Sequence, residues 1–168
     1  MAELMTPDKT KAPRRKAKAP ALTGWMEMAD LPLLGLDRVK AKIDTGARTT
    51  ALHATDIEEF VRDGEAWLRF RTRISEHSPE RYIEAPYHSE RAIKNTSGVP
   101  EDRYIIRTRL KLGKRQWMID LSITDRGNMT FPMIIGRSAL KDHNIAVHTR
   151  KTFLMTEPPQ ERRRKDYG

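Results

Sequence analysis

The chain has 168 residues, of which 33% are charged and 38% hydrophobic, with a formal net charge of +9 and no cysteine. That length fits one domain with extensions, and the missing cysteine excludes disulfides, thiolate catalysis and sulfur-ligated metal. No apolar run approaches the ~18 residues that span a membrane, and the basic N-terminus lacks the apolar segment of a secretory signal, so a cytoplasmic location is expected.

Residues 1–22 carry six Lys/Arg against two acids, with Pro7, Pro13 and Pro20 spaced through them and no apolar period. They read as a disordered basic tail, suited to solubility or loose contact with polyanions. The folded domain is expected over residues 23–156, and 157–168 reads as a second disordered tail. Thr23 to Met28 opens the domain, with Trp25 expected in the core. Ala29 to Asp37 contains Pro32 and Gly35 and reads as a loop with leucines tucked under it. Val39, Ala41 and Ile43 then alternate with Lys40 and Lys42, the period of a strand with one apolar face.

That strand runs straight into Asp44-Thr45-Gly46. Gly46 would allow a backbone path closed to other residues, and Thr45 can hydrogen-bond locally to fix the loop. Taken alone, the tripeptide is an Asx-type turn ending a strand. Arg48 to His53 should form the next strand, with Ala51 and His53 on one face and Leu52 on the other. Asp63-Gly64, between Phe60 and Trp67, signals a hairpin. Ala66 to Ile74 sets Trp67, Arg69, Arg71 and Arg73 against Leu68, Phe70, Thr72 and Ile74.

Arg81 to His88 is a strand weakened by Pro86, and Lys94 to Pro100 is the clearest loop, a candidate flap. From Arg103 to Leu112, Tyr104, Ile106, Thr108, Leu110 and Leu112 share one strand face. Gly113-Lys114 turns the chain back into Gln116 to Thr124, and Asp125 to Asn128 turns it again. Phe131 to Arg137 is an apolar strand closed by Gly136, followed by a short helix over Ser138 to Asp142. A final strand or two is expected between Ile145 and Met155. Short strands with a turn about every ten residues point to an all-β barrel or sandwich.

Two motifs together carry more than either alone. Asp44-Thr45-Gly46-Ala47 on an apolar strand, with Ile134-Ile135-Gly136-Arg137 and a helix about ninety residues later, resembles the retropepsin family of aspartic peptidases. The longer phrase from Lys40 to Ala54 is similar to a bacterial retropepsin-like family commonly labelled an ATP-dependent zinc protease and associated with RimK-type ATP-grasp ligases that add glutamates to a ribosomal protein. The resemblance covers residues 23 to 156. It implies a closed retropepsin-like barrel with one short helix, with Asp44 catalytic and supported by Thr45 and Gly46. It also implies that Ala47 lets the substrate backbone approach.

Aspartic peptidase chemistry uses two carboxylates sharing one proton. One Asp-Thr-Gly per chain supplies half of that pair, so the resemblance implies a homodimer with the site on its two-fold axis. Arg48 departs from the retropepsin pattern, which has an aspartate there that pairs with the arginine after the Ile-Ile-Gly strand. Arg48 and Arg137 would repel unless an anion lay between them. Either Asp30 or Asp142 neutralises them, or the substrate supplies the anion. Arg48, Arg137, Thr49 and Lys42 are therefore expected at the substrate, with Lys40 adding to the field.

No cofactor is expected. The histidines His53, His77, His88, His143 and His148 show no zinc-ligand spacing, and no glycine-rich phosphate loop with a lysine exists for ATP. The resulting reading is a cytoplasmic peptidase for acidic, glutamate-rich or polyglutamate tails, with a ribosomal protein and an ATP-grasp ligase as partners and no membrane. The alternative is a non-catalytic module that grips acidic tails or ribosomal RNA and regulates a ligase. The basic strand faces read as solvated, with Glu65, Glu76 and Asp120 opposite, because the aromatics Trp67, Phe70, Tyr104 and Trp117 are few and mostly on strand faces that need a core.

Overall fold

The computed structural model describes residues 18–87, 89–94, 100–127 and 130–160. Strand β1 (Ala21–Gly24) leads into β2 (Met26–Leu31), a 3-10 turn at Pro32–Leu34, and the acid-bearing β3 (Leu36–Ile43). Then come β4 (Thr50–His53), β5 (Thr55–Arg62), β6 (Glu65–Thr72), β7 (Arg81–Pro86), β8 (Ser89–Lys94), β9 (Pro100–Leu112), β10 (Arg115–Thr124) and β11 (Met133–Ile135). The one α-helix among the described residues, α1 (Arg137–Lys141), precedes the strand β12 (Ile145–His148).

The main sheet runs β10-β4-β11-β3-β2-β9-β8, and β9 also pairs with β10. That second pairing closes six strands into a barrel, which removes their free edges. A separate sheet, β5-β6-β7, and the parallel pair β1 and β12 complete the fold. The core takes Val39, Ala41 and Ile43 from β3, Ile106, Leu110 and Leu112 from β9, and Trp117, Ile119, Leu121 and Ile123 from β10. Leu68 and Phe70 of β6 join the same cluster, so the three-stranded sheet is part of one core. All four residues of β4 are buried, so the two faces expected for Ala51 and Leu52 are both inside. The strand lies between β10 and β11, and its surroundings override its own pattern.

Asp63 and Gly64 form the two-residue turn of the β5–β6 hairpin, both at positive φ (50° and 78°), which matches the right-handed strand twist. Several expectations need correcting. The loop read over Ala29 to Asp37 is mostly strand with a 3-10 turn, because only Gly35, at φ 67°, must break the pattern. Trp25 is half-buried and meets Phe131 edge-on at 6.1 Å. Phe60 and Trp67 lie on the outer face of their sheet, where Arg62 stacks 4.3 Å from the Trp67 ring. The acids opposite Arg69, Arg71 and Arg73 are Glu58, Glu84, Asp56 and Glu80 instead of Glu65 and Glu76, because strand register brings them alongside. Asp120 does pair with Arg107.

β1 begins at Ala21, inside the stretch read as tail, because it pairs with β12. The guanidinium of Arg38 ties down Glu157 and Pro158 through their carbonyls, at 3.1 and 3.0 Å. After β12 there is no further strand among the described residues. Instead, Leu154 to Thr156 are gathered by Glu27. This carboxylate is fully buried and accepts from the backbone N–H groups of Gly24 (2.9 Å), Leu154 (2.8 Å), Met155 (2.9 Å) and Thr156 (3.1 Å). The Thr156 hydroxyl adds a bond at 2.5 Å. Residues 95–99, which hold the expected flap, lie outside the described residues, as do residues 1–17, 88, 128–129 and 161–168.

Candidate active site

The Asp44 loop leaves the end of β3, where Ile43 pairs with Ile135 of β11. The Asp44 N–H donates to the Ile135 carbonyl at 2.9 Å, so the acid-bearing strand and the Ile-Ile-Gly strand meet at this point. The half-buried Asp44 carboxylate caps its own loop: Oδ1 accepts from Gly46 N–H at 3.0 Å and Ala47 N–H at 3.3 Å. Charge-assisted bonds of this kind hold the carboxylate in one orientation.

Gly46 does not adopt a left-handed backbone, contrary to expectation. Its role is room: a Cβ there would stand 3.2 Å from Asp44 Oδ1. Gly136 is the more constrained glycine, since a Cβ would come within 2.7 Å of the Thr49 carbonyl carbon and 2.8 Å of the Arg48 oxygen. That close approach lets Arg137 N–H reach the Ala47 carbonyl (2.8 Å), Ser138 N–H reach the Arg48 carbonyl (3.0 Å) and Gly136 N–H reach Thr50 Oγ1 (3.2 Å). Thr50 was not singled out by sequence, because its contact lies across the fold.

Arg137 and Arg48 divide their roles. Arg137 Nη1 donates to the carbonyls of Thr45 (2.9 Å) and Gly46 (3.0 Å), so this guanidinium braces the loop. The bracing expected of the Thr45 hydroxyl is supplied instead by this arginine and by Asp44; Thr45 and Gly46 are exposed. Arg48 is exposed and lines a polar cleft with Thr49, Ser138 and Asp142. Among the described residues it forms no ion pair with an acid. Asp30 does not reach either arginine as a neutralising partner, because it accepts the Arg38 N–H at 2.7 Å. Lys42 is exposed on β3, while Lys40 sits over the Phe131 ring at 5.1 Å.

Among the described residues no three His, Cys, Asp or Glu side chains converge. His143 stacks on Trp117 at 4.2 Å, and His148 Nδ1 accepts Arg150 N–H at 3.1 Å. His53 Nδ1 accepts Arg126 N–H at 3.0 Å, which requires a neutral ring. Burial lowers the His53 pKa from 6.5, opposed by Asp125 and reinforced by Arg126. A depressed folded-state pKa means the unfolded chain takes the proton more readily, so this contribution is full above 6.5 and is lost as pH falls. The melting temperature should drop between pH 7 and 5, and His53→Gln should flatten that drop.

The comparisons fit this geometry. The RimB-like family, described as retropepsin-like aspartic endopeptidase RimB, matches residues 22–158. A crystal structure of a Legionella pneumophila protein of unknown function superposes with a TM-score of 0.68 at 30% identity, covering 81% of this chain and 98% of that one. A Desulfotalea psychrophila protein named "Probable alpha-L-glutamate ligase" is 41% identical over 130 residues, 76% of this chain. A Shewanella pealeana protein of the same name is 33% identical over 138 residues, 81% of this chain. The matched stretches span only 28% and 30% of those two relatives. No helix among the described residues is long and apolar enough to cross a membrane. With both motifs joined at one loop and the family match spanning the barrel, the chain belongs to the RimB-like family of retropepsin-like aspartic endopeptidases.

Proposed function

We propose that this chain is an aspartic endopeptidase that works as a homodimer on acidic, glutamate-rich peptides. The observation that carries the reading is the Asp44 carboxylate, oriented by two loop N–H groups on a loop locked to Gly136 and Arg137. In the reaction, one Asp44 of a pair takes a proton from water while the other, protonated, donates to the substrate carbonyl. The water oxygen bonds to the carbonyl carbon; the C–N bond then breaks and the amine leaves with a proton. The second carboxylate comes from a second copy, since Asp30 is bonded to Arg38 N–H and Asp125 faces His53 at 3.7 Å. Activity per subunit should therefore fall on dilution below the dimer dissociation constant, and full activity in a strictly monomeric sample would refute the shared site.

The acidic preference rests on Arg48, exposed beside the loop and without an acid partner among the described residues. Incubation with oligoglutamate and with oligoglutamine, read by mass spectrometry, tests it directly. Arg48→Ala should lower the efficiency for oligoglutamate about tenfold, the equivalent of one contact of ~1.4 kcal/mol, and weaken the salt dependence. An unchanged ratio between the two peptides would assign Arg48 to bracing.

The relatives named as ligases support a second reading. A stretch that matches part of a ligase chain could hold a glutamate tail for an ATP-grasp ligase, on a ribosomal protein or beside ribosomal RNA, without cutting it. In the peptidase reading the same partnership couples addition and removal of glutamates. Oligoglutamate bound but not cleaved by the wild-type chain would favour the holding module.

A further inference from the structure

The cleft lined by Arg48 encloses about 220 Å³ between the loop, β9, β10 and α1. It is smaller than sites for drug-sized ligands and has room for one long side chain. Four charged side chains line it: Arg48, Arg107, Asp120 and Asp142. Arg107 Nη1 donates to Asp120 Oδ1 at 3.1 Å, so those two charges largely cancel. Arg48 is left with donors to satisfy. Trp117, also in the lining, is only 8% exposed, and its indole N–H is buried with no acceptor.

We infer that this cleft is a subsite for an acidic side chain of the peptide cleaved at Asp44, anchored by Arg48 and completed by Arg107 and Ser138, with Trp117 in its wall. The inference rests on the peptidase reading above. A carboxylate gives Arg48 its counter-ion through charge-assisted bonds stronger than those of a neutral amide, and Trp117, in the wall of the same cleft, senses its arrival. The connection to the loop is direct, because the Arg48 carbonyl is the acceptor for Ser138 N–H at 3.0 Å. Asp142, exposed in the same lining, repels a carboxylate and limits how tightly the side chain is held.

The test uses the full chain carrying Asp44→Asn, which is not expected to turn substrate over, and the indole N–H resonances of its three tryptophans. Trp117→Phe assigns the Trp117 signal. Oligoglutamate should move that signal, and oligoglutamine should not. Arg107→Gln should weaken oligoglutamate binding about tenfold, as loss of one such contact implies, and Asp142→Asn should tighten it. No movement of the Trp117 signal, or equal movement with oligoglutamine, overturns the subsite. The readout does not depend on hydrolysis. A moving Trp117 signal with no wild-type turnover would overturn the peptidase and leave the subsite standing; turnover with a silent Trp117 would do the reverse.

Discussion

Asp44→Asn is expected to cut peptide hydrolysis by about 10²–10⁴-fold, the range lost with a general acid–base group, while moving stability by less than about 0.5 kcal/mol. The asymmetry follows from what each oxygen does. Asp44 Oδ1 accepts from Gly46 and Ala47 N–H, and an asparagine carbonyl oxygen in the same place accepts the same bonds. The loop therefore keeps its shape, and Arg137 keeps its carbonyl partners at Thr45 and Gly46. An amide cannot take a proton from water, so the shared proton of the dyad is lost. Turnover of oligoglutamate and a thermal melt on the same sample measure both halves. Wild-type turnover in the variant would remove the aspartic mechanism. Lost turnover together with a lost fold would leave the effect structural, and then Asp44→Glu, which keeps the acid but displaces it, is expected to fold and show residual activity.

The largest loss of stability is expected at Glu27. Glu27→Ala should cost about 3 kcal/mol or more, because it strips acceptors from four backbone N–H groups and each unsatisfied buried group costs about 1–3 kcal/mol. For a chain of this size that corresponds to roughly 6–12 °C in melting temperature. Glu27 is fully buried, and it accepts from backbone N–H groups and from the hydroxyls of Thr23 and Thr156. Oriented dipoles thus replace the water lost on burial. The damage should be local first: the amides of Leu154, Met155 and Thr156 should exchange with solvent far faster than in the wild type. Unchanged exchange with a melt within about 1 kcal/mol of wild type would mean that the segment is held by other contacts, such as Arg38 on Glu157 and Pro158.

Much of this architecture is legible residue by residue. The period-two alternation of Val39, Ala41 and Ile43 with Lys40 and Lys42 survives as the buried and exposed faces of β3. Tyr104 to Leu112 and the Asp63-Gly64 turn are equally direct, because strand period and turn chemistry depend on neighbours along the chain. The pairing of Asp44-Thr45-Gly46 with Ile134-Ile135-Gly136 was legible through its resemblance to a family, and the structure joins the two through Asp44 N–H and the Ile135 carbonyl.

What the sequence could not decide are contacts between residues far apart in the chain. Glu27 looks like any polar residue in an alternating strand until the chain returns at Leu154 to Thr156, nearly the length of the domain later. Arg48 and Arg137 are equivalent as letters; only the fold aims one at the loop carbonyls and sets the other in a cleft with Arg107 and Trp117. Trp67 alternates with Arg69 and Arg71 along the chain, but only the β5–β6 pairing sets it beside Phe60 on the outer face under Arg62. By itself the sequence determined most of the strands, the turns and the acid on its loop, all of which follow from local backbone preference and apolar period. Barrel closure, the buried Glu27 clasp and the separate duties of the two arginines were decided only when long-range pairing brought distant groups within bonding distance, because hydrogen bonds and charge pairs are set by position in space.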